Sequence, residues 1–146
     1  GNNSDVQNLL EPLRLGLDVQ APNAVLPEGN QWRLRMPDVF SFADVAKLQT
    51  RQMALRLGVP SENHVEVSVE VPPGYAVIRS PSDFHVEQAC FSAERKTERT
   101  NLGIRIAFHH VRLCPEISVG DYPAFREVLM QVEARLQEGI LLGKNI

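Results

Sequence analysis

Between Val65 and Val71 the chain sets Val65, Val67, Val69 and Val71 against Glu66, Ser68 and Glu70, then stops at Pro72–Pro73. Successive side chains of a strand point to opposite faces, so this pattern makes one apolar face and one wet face. Such strands build antiparallel sheets, whereas buried parallel strands run apolar on both sides. Neither proline carries an N–H, so ladder pairing is expected to end at Val71. The "PPGY" stretch then turns the chain, and Tyr75, Val77 and Ile78 open another extended segment. Asp in place of Val67 or Val69 is expected to unfold the domain, while Glu66→Lys should be nearly neutral.

The same alternation recurs. "LRLGLDV" places Leu13, Leu15, Leu17 and Val19 on one face. "QWRLRM" turns Trp32, Leu34 and Met36 inward and Gln31, Arg33 and Arg35 outward, and "QMALRL" does so with Met53, Leu55 and Leu57. Two longer strands, "DFHVEQACFSAE" and "GIRIAFHHVRLC", form a hairpin whose charged tip, Arg95–Arg99, is expected to be solvated. The apolar phase of the second slips at His109–His110, and that of the first between Val86 and Ala89, as a β-bulge would produce. "DYPAFREVLMQVEARLQEG" has helical spacing at Tyr122, Phe125, Val128, Leu129, Val132 and Leu136, with Asp121 as N-cap, Pro123 in the first turn and Gly139 as terminator. "ILLG" follows as a short edge strand, "SFADVAKLQ" suits a short helix capped by Ser41, and "QAPNAVLPEGN" reads as a strand connection. The fold class expected is mainly β: an antiparallel β-sandwich of about 7–8 strands with one C-terminal α-helix.

A chain of 146 residues suits one domain. Its net charge of −3, with cations dispersed, gives no footprint for nucleic acid. No apolar run approaches the ~20 residues of a membrane-spanning helix. The opening "GNNSDV" reads as a remnant of processing. Residues 1–4 are therefore expected to be an unstructured remnant, and 5–146 a single sandwich domain taken from a longer protein.

The candidates for chemistry are Cys90 and Cys114 as nucleophiles and His64, His85, His109 and His110 as bases. A hairpin turn at Arg99–Thr100 would set Cys90 across from His109 or His110, and Cys114 across from His85 or Val86. The cysteines would then lie roughly 13 Å apart along the ladder, beyond the ~7 Å that a disulfide spans, and two thiols are expected. Zinc or a thiolate–imidazolium pair at Cys90 and His110 is a conceivable third reading. No CxxC, HExxH or glycine-rich phosphate loop accompanies it. No catalytic, cofactor or metal residue is assigned, and the chain is expected not to be an enzyme.

From Leu48 to Lys144 the order of motifs resembles one bacterial domain. "RQMALRLGVPSENHVEVSVEVPPGYAV" is similar to its arginine-led strand, Gly-x-Pro turn and Pro-x-Gly-Tyr strand end; "DYPAFREVLMQVEARLQEGILLGK" is similar to its Asp-Tyr pair, F-R-x-x-L helix and terminal strand. This is the C-terminal β-sandwich domain of unknown function that follows the transglutaminase-like core in bacterial transglutaminase-superfamily proteins. The resemblance implies a non-catalytic accessory domain that stabilises the upstream core or shapes substrate access, with the Cys–His–Asp triad in that neighbour. It implies a periplasmic or cell-envelope setting as well. The alternative is an independent glycan- or protein-binding module.

Overall fold

The computed structural model describes residues 25–36, 42 and 44–145, and the predicted strand at Leu13–Val19 and the Ser41 cap lie outside them. Ten strands in three antiparallel sheets, with one helix, make up the described residues. They are β1 (Val25–Glu28), β2 (Gln31–Leu34), β3 (Leu55–Arg56), β4 (Ser61–Glu70), β5 (Tyr75–Arg79), β6 (Phe84–Gln88), β7 (Phe91–Arg99), β8 (Gly103–Arg112), β9 (Glu116–Ile117), α1 (Tyr122–Leu136) and β10 (Ile140–Lys144). The largest ladder runs β4-β8-β7-β6; a second sheet runs β1-β2-β10-β5; β3 and β9 form a two-stranded ribbon.

The valine strand forms as its alternation requires. Val65, Val67 and Val69 pair with Phe108, Ile106 and Ile104, all on the inner face, while Glu66 and Ser68 pair with Ala107 and Arg105 on the outer one. Pairing reaches Glu70, and the Val71 N–H makes one further bond to the Leu102 carbonyl at 2.8 Å. The chain then turns: the Tyr75 N–H donates to the Pro72 carbonyl at 3.1 Å, with Gly74 at φ +87°. Proline at the second turn position and glycine at the third is the arrangement that a positive φ demands.

The valines are only half-buried, because β4 is the outermost strand of its ladder among the described residues. Val69 packs on the cluster of Ile104, Ile106, Ile140 and Leu142, which joins the two large sheets. Val69→Asp is therefore expected to cost about 2 kcal/mol, more than Val67→Asp, with Glu66→Lys within about 0.5 kcal/mol of wild type. Urea melts of the three variants check this order. A larger loss from Glu66→Lys would put the strand one residue out of register.

The other half of the large sheet packs against α1. Phe84, Phe91, Ala93 and Phe108 meet Tyr122, Phe125, Leu129 and Val132, with Phe42, Ala46, Leu55 and Ile117 closing the side. One sheet face is thus shared between a second sheet and a helix, each burying its apolar side.

Several expectations need correction. "DFHVEQACFSAE" is two strands, β6 and β7, joined by a two-residue turn at Ala89–Cys90, where Ala89 takes φ +44° without being glycine. The phase slip before Ala89 is that turn. No bulge interrupts β8, which pairs continuously with both neighbours from Ile104 to Arg112; His110 itself occupies the inner position after Phe108, so the apparent slip is a histidine in a core site. Helix α1 ends at a Gln137 cap, before Gly139. Gly139 answers a different need, since a Cβ there would lie 2.7 Å from the Leu34 carbonyl oxygen. At the helix start the Asp121 side chain makes no cap bond; its carboxylate accepts from the Ser118 hydroxyl at 2.7 Å instead.

The expected edge strand "ILLG" is central: β10 lies between β2 and β5, with Ile140, Leu142 and Gly143 buried. Part of the "QAPNAVLPEGN" connection is strand β1, and Pro27 is tolerated because β1 is an edge. "QMALRL" pairs only at Leu55–Arg56, since its partner β9 is two residues long, and Met53 is 78% exposed. Around the expected short helix, Asp44–Ala46 form a turn, with the Val45 N–H bonded to the Phe42 carbonyl. Trp32 pairs with Leu142, on the expected side of the sheet, but keeps 37% of its surface exposed.

Candidate functional site

The β7–β8 turn decides which cysteines and histidines meet. Its last pair is Arg99 with Ile104, and its tip is closed by the Thr100 N–H to the Gly103 carbonyl and the Gly103 N–H to the Thr100 hydroxyl. The turn therefore centres on Asn101–Leu102, two residues beyond the expected position. Gly103 fixes it there: a Cβ would fall 2.0 Å from the Val69 carbonyl oxygen on the neighbouring strand. With this register Cys90 lies across from Leu113, whose N–H donates to the Cys90 carbonyl at 2.7 Å.

Cys114, one residue on, reaches back to Cys90 with the Cα atoms 5.4 Å apart, and the two form a disulfide. The expectation of two thiols is overturned. The error was one of register, because moving the turn carries every cross-strand partner along the ladder. The disulfide ties the β6–β7 turn to the end of β8 and packs against the helix-side core.

The histidines are separated by the same register. His85 is exposed on β6 beside Glu87 and Glu94. His64 and His109 sit across from one another on the outer face, ring centroids 6.0 Å apart, and His109 Nε2 lies 2.8 Å from a Glu62 carboxylate oxygen. His110 points inward and is 7% exposed, in edge or tilted contact with Phe42, Phe91 and Phe108. With Arg112 and Ser61 it lines an apolar cavity of about 130 Å³ under α1. No cysteine stands beside it as a thiolate. Among the described residues, no group of three or more His, Cys, Asp or Glu side chains could hold a metal ion.

Burial, then the nearby His109 and Arg112 charges, push the His110 imidazole below its ordinary value of 6.5. Unfolding frees it to take up a proton that the folded chain refuses. Stability should accordingly fall as pH drops below about 6.5, until the folded imidazole also titrates. His110→Phe is expected to flatten that acid slope in urea melts; an undiminished slope would place its origin elsewhere.

A second constellation joins β7 to the far end of α1, and sequence reasoning missed it. Arg95, expected at a solvated tip, is 3% exposed. Its Nε and Nη2 donate to the Ser82 carbonyl at 2.9 and 2.6 Å, Nη1 to the Arg135 carbonyl at 2.6 Å, and Nη2 also to Glu138 at 2.8 Å. The guanidinium lies over the Phe84 ring, 4.8 Å from its centroid. Glu138 in turn accepts from the Ser82 N–H at 3.1 Å. Burial pushes the Glu138 carboxyl up, but the Ser82 N–H and Arg95 outweigh it and hold the group below its usual range. Burial lowers the Arg95 pKa, and Glu138 opposes the shift. A helix C-terminus offers unpaired carbonyls and negative potential, so a cation at Arg135 O is well placed. The signal was in the sequence: Phe91, Ala93, Arg95 and Thr97 share one phase of β7, and a charge on the apolar phase needs partners.

Beside this clamp opens a cleft of about 300 Å³, walled by Arg33, Leu141 and Arg79 on the sheet and by Gln137–Gly139 after the helix. These features describe a mainly β fold of antiparallel sheets buttressed by one helix.

Residues 33–142 match the profile of the domain of unknown function with solved structure DUF3858, and the chain belongs to that family. A search of curated proteins finds no match. Among solved structures, the chain is similar to a putative protease from Parabacteroides distasonis ATCC 8503, at 13% identity and a TM-score of 0.61. The similarity covers 75% of this chain but 22% of that one. At that identity the likeness is one of fold.

Proposed function

We propose that this is a non-catalytic accessory domain that follows a transglutaminase-like core and stabilises it or shapes its substrate access. The carrying observation is one of proportion: the fold aligns with 22% of a protein described as a putative protease, leaving most of that chain for other structure. The Arg51-led segment, the Gly58–Pro60 turn, "PPGY" and the "FREVL" helix retain the order that suggests a transglutaminase-like neighbour. Both sulfurs are committed to a disulfide, which is consistent with a Cys–His–Asp triad belonging to that neighbour. Disulfides persist in oxidising compartments, so the same bond supports a periplasmic or cell-envelope setting.

The test is amide hydrolysis and transamidation by the longer parent chain, with and without this segment, and with the 146-residue chain added back. Activity is expected to drop at least tenfold on deletion and to recover in part on addition. Activity indifferent to the segment would remove the accessory role and favour an independent binding module.

A further inference from the structure

Two arginines of the large ladder lie on its inner phase, and their surroundings differ sharply. Arg95 places its donors on the Ser82 and Arg135 carbonyls and on Glu138. Arg112 follows Phe108 and His110 on the inner phase of β8, and its pairing with Ser61 on β4 and Phe91 on β7 makes one cross-strand row. It makes one side-chain bond, from Nη2 to the Val59 carbonyl at 3.0 Å. Its Nε is buried without an acceptor, and no carboxylate among the described residues pairs with its charge. A half-buried guanidinium in that state lacks the partners that such a group requires.

Arg112 lines the cavity under α1. Phe91 meets Phe42 and Phe125 edge-on there, with ring centroids 5.7 and 6.1 Å apart, and Leu129 closes the helix side. Ser61 adds a hydroxyl to the wall that carries the guanidinium. The arginine's charge is felt inside: after burial and His109, it is a further cause of the lowered His110 pKa. The space is about 130 Å³. A cavity of roughly 150 Å³ holds one benzene ring, whereas drug-sized ligands need about 300 Å³ or more. The room is therefore for a single ring or a branched chain of that size. A sugar would bury hydroxyls against phenylalanine rings with too few partners.

We propose that the cavity under α1 binds a small monocarboxylate with one compact apolar body, aromatic or branched, its carboxylate on Arg112 and Ser61 and its body among Phe42, Phe91, Phe125 and Leu129. Guanidinium offers a carboxylate charge-assisted, directional donors, and the rings bury the apolar body. The same wall disfavours a free amino acid, whose ammonium would lie beside Arg112 with no lining carboxylate to pair it. An uncharged ring would fill the space and leave the Arg112 donor as it is. The site is formed within this chain and holds whether or not the accessory role does.

NMR titration of the methyl signals of the 146-residue chain tests this, with phenylacetate as the probe. Phenylacetate at up to about 20 mM, ample for a ligand of millimolar affinity, is expected to shift the Val45 and Leu129 methyl signals saturably. Acetate, benzyl alcohol and phenylalanine should each bind at least tenfold more weakly, since they lack the ring, lack the carboxylate or add the ammonium. Arg112→Gln should bring phenylacetate down to the level of benzyl alcohol, while Arg105→Gln on the outer face should leave both unchanged. The wild-type comparison decides the matter even where Arg112→Gln fails to fold. Equal binding of benzyl alcohol and phenylacetate would reduce the cavity to an apolar hole and overturn the proposal. So would acetate binding as well as phenylacetate, shifts confined to other residues, or no saturable shift.

Discussion

Arg95→Met is expected to lower stability by about 3–5 kcal/mol, since breaking a buried ion pair strands its partners. At this chain length the melting midpoint should drop on the order of 10 °C. The methionine keeps the packing over Phe84 but leaves the Ser82 and Arg135 carbonyls and Glu138 without their shared donor. Glu138→Gln should cost much less, about 1 kcal/mol, because that carboxylate is partly solvated and its charge is screened. The lowered Glu138 pKa adds a pH signature. Its contribution is full above the ordinary carboxylate range and is lost as pH falls through the folded value, so Glu138→Gln should lose part of the acid dependence of wild type. Lys96→Met, next door on the outer face, is the control and should be close to neutral. A midpoint for Arg95→Met within 2 °C of wild type would mean that the clamp holds nothing.

Removing the disulfide should be of similar size. Cys90 and Cys114 are 24 residues apart in sequence, and closing a loop of that length restricts the unfolded chain by about 3 kcal/mol. Cys90→Ala/Cys114→Ala should therefore melt on the order of 10 °C lower. Dithiothreitol should bring wild type down to the same midpoint and leave the double variant where it is. A wild-type midpoint insensitive to reductant would contradict the bond, and with it the support for an oxidising compartment.

How far the sequence revealed these features depended on the distance over which they are specified. The facing of β4 was legible because alternation is local and Pro72 ends it without ambiguity. The core side of α1 was legible for the same reason. Register was not. Asn101 and Gly103 marked a turn, but its centre depends on how closely β8 passes Val69, a contact no local pattern records. One misplaced turn then displaced Cys90 from Cys114 and set histidines opposite cysteines. Arg95 was hidden by composition, since a run of charges reads as a solvated tip although its phase on β7 points inward. The register shift that pairs Arg79 with Leu141 and leaves Ile78 over Gly143, where a Cβ would lie 2.1 Å from Ile78 Cδ1, likewise joins segments distant in the chain.

The position of β10 bears on the order in which this molecule can assemble. β2 and β5 are not paired with each other; each has β10 on one side, and β10 is made after every other element described. Until Ile140–Lys144 has left the ribosome, both strands carry an unsatisfied edge, and half of the inter-sheet cluster lacks Ile140 and Leu142. Pairings between distant segments form slowly. Before β10 emerges, the β4-β8-β7-β6 ladder and the helix can already be in place while β2 and β5 keep open edges, so the second sheet closes last.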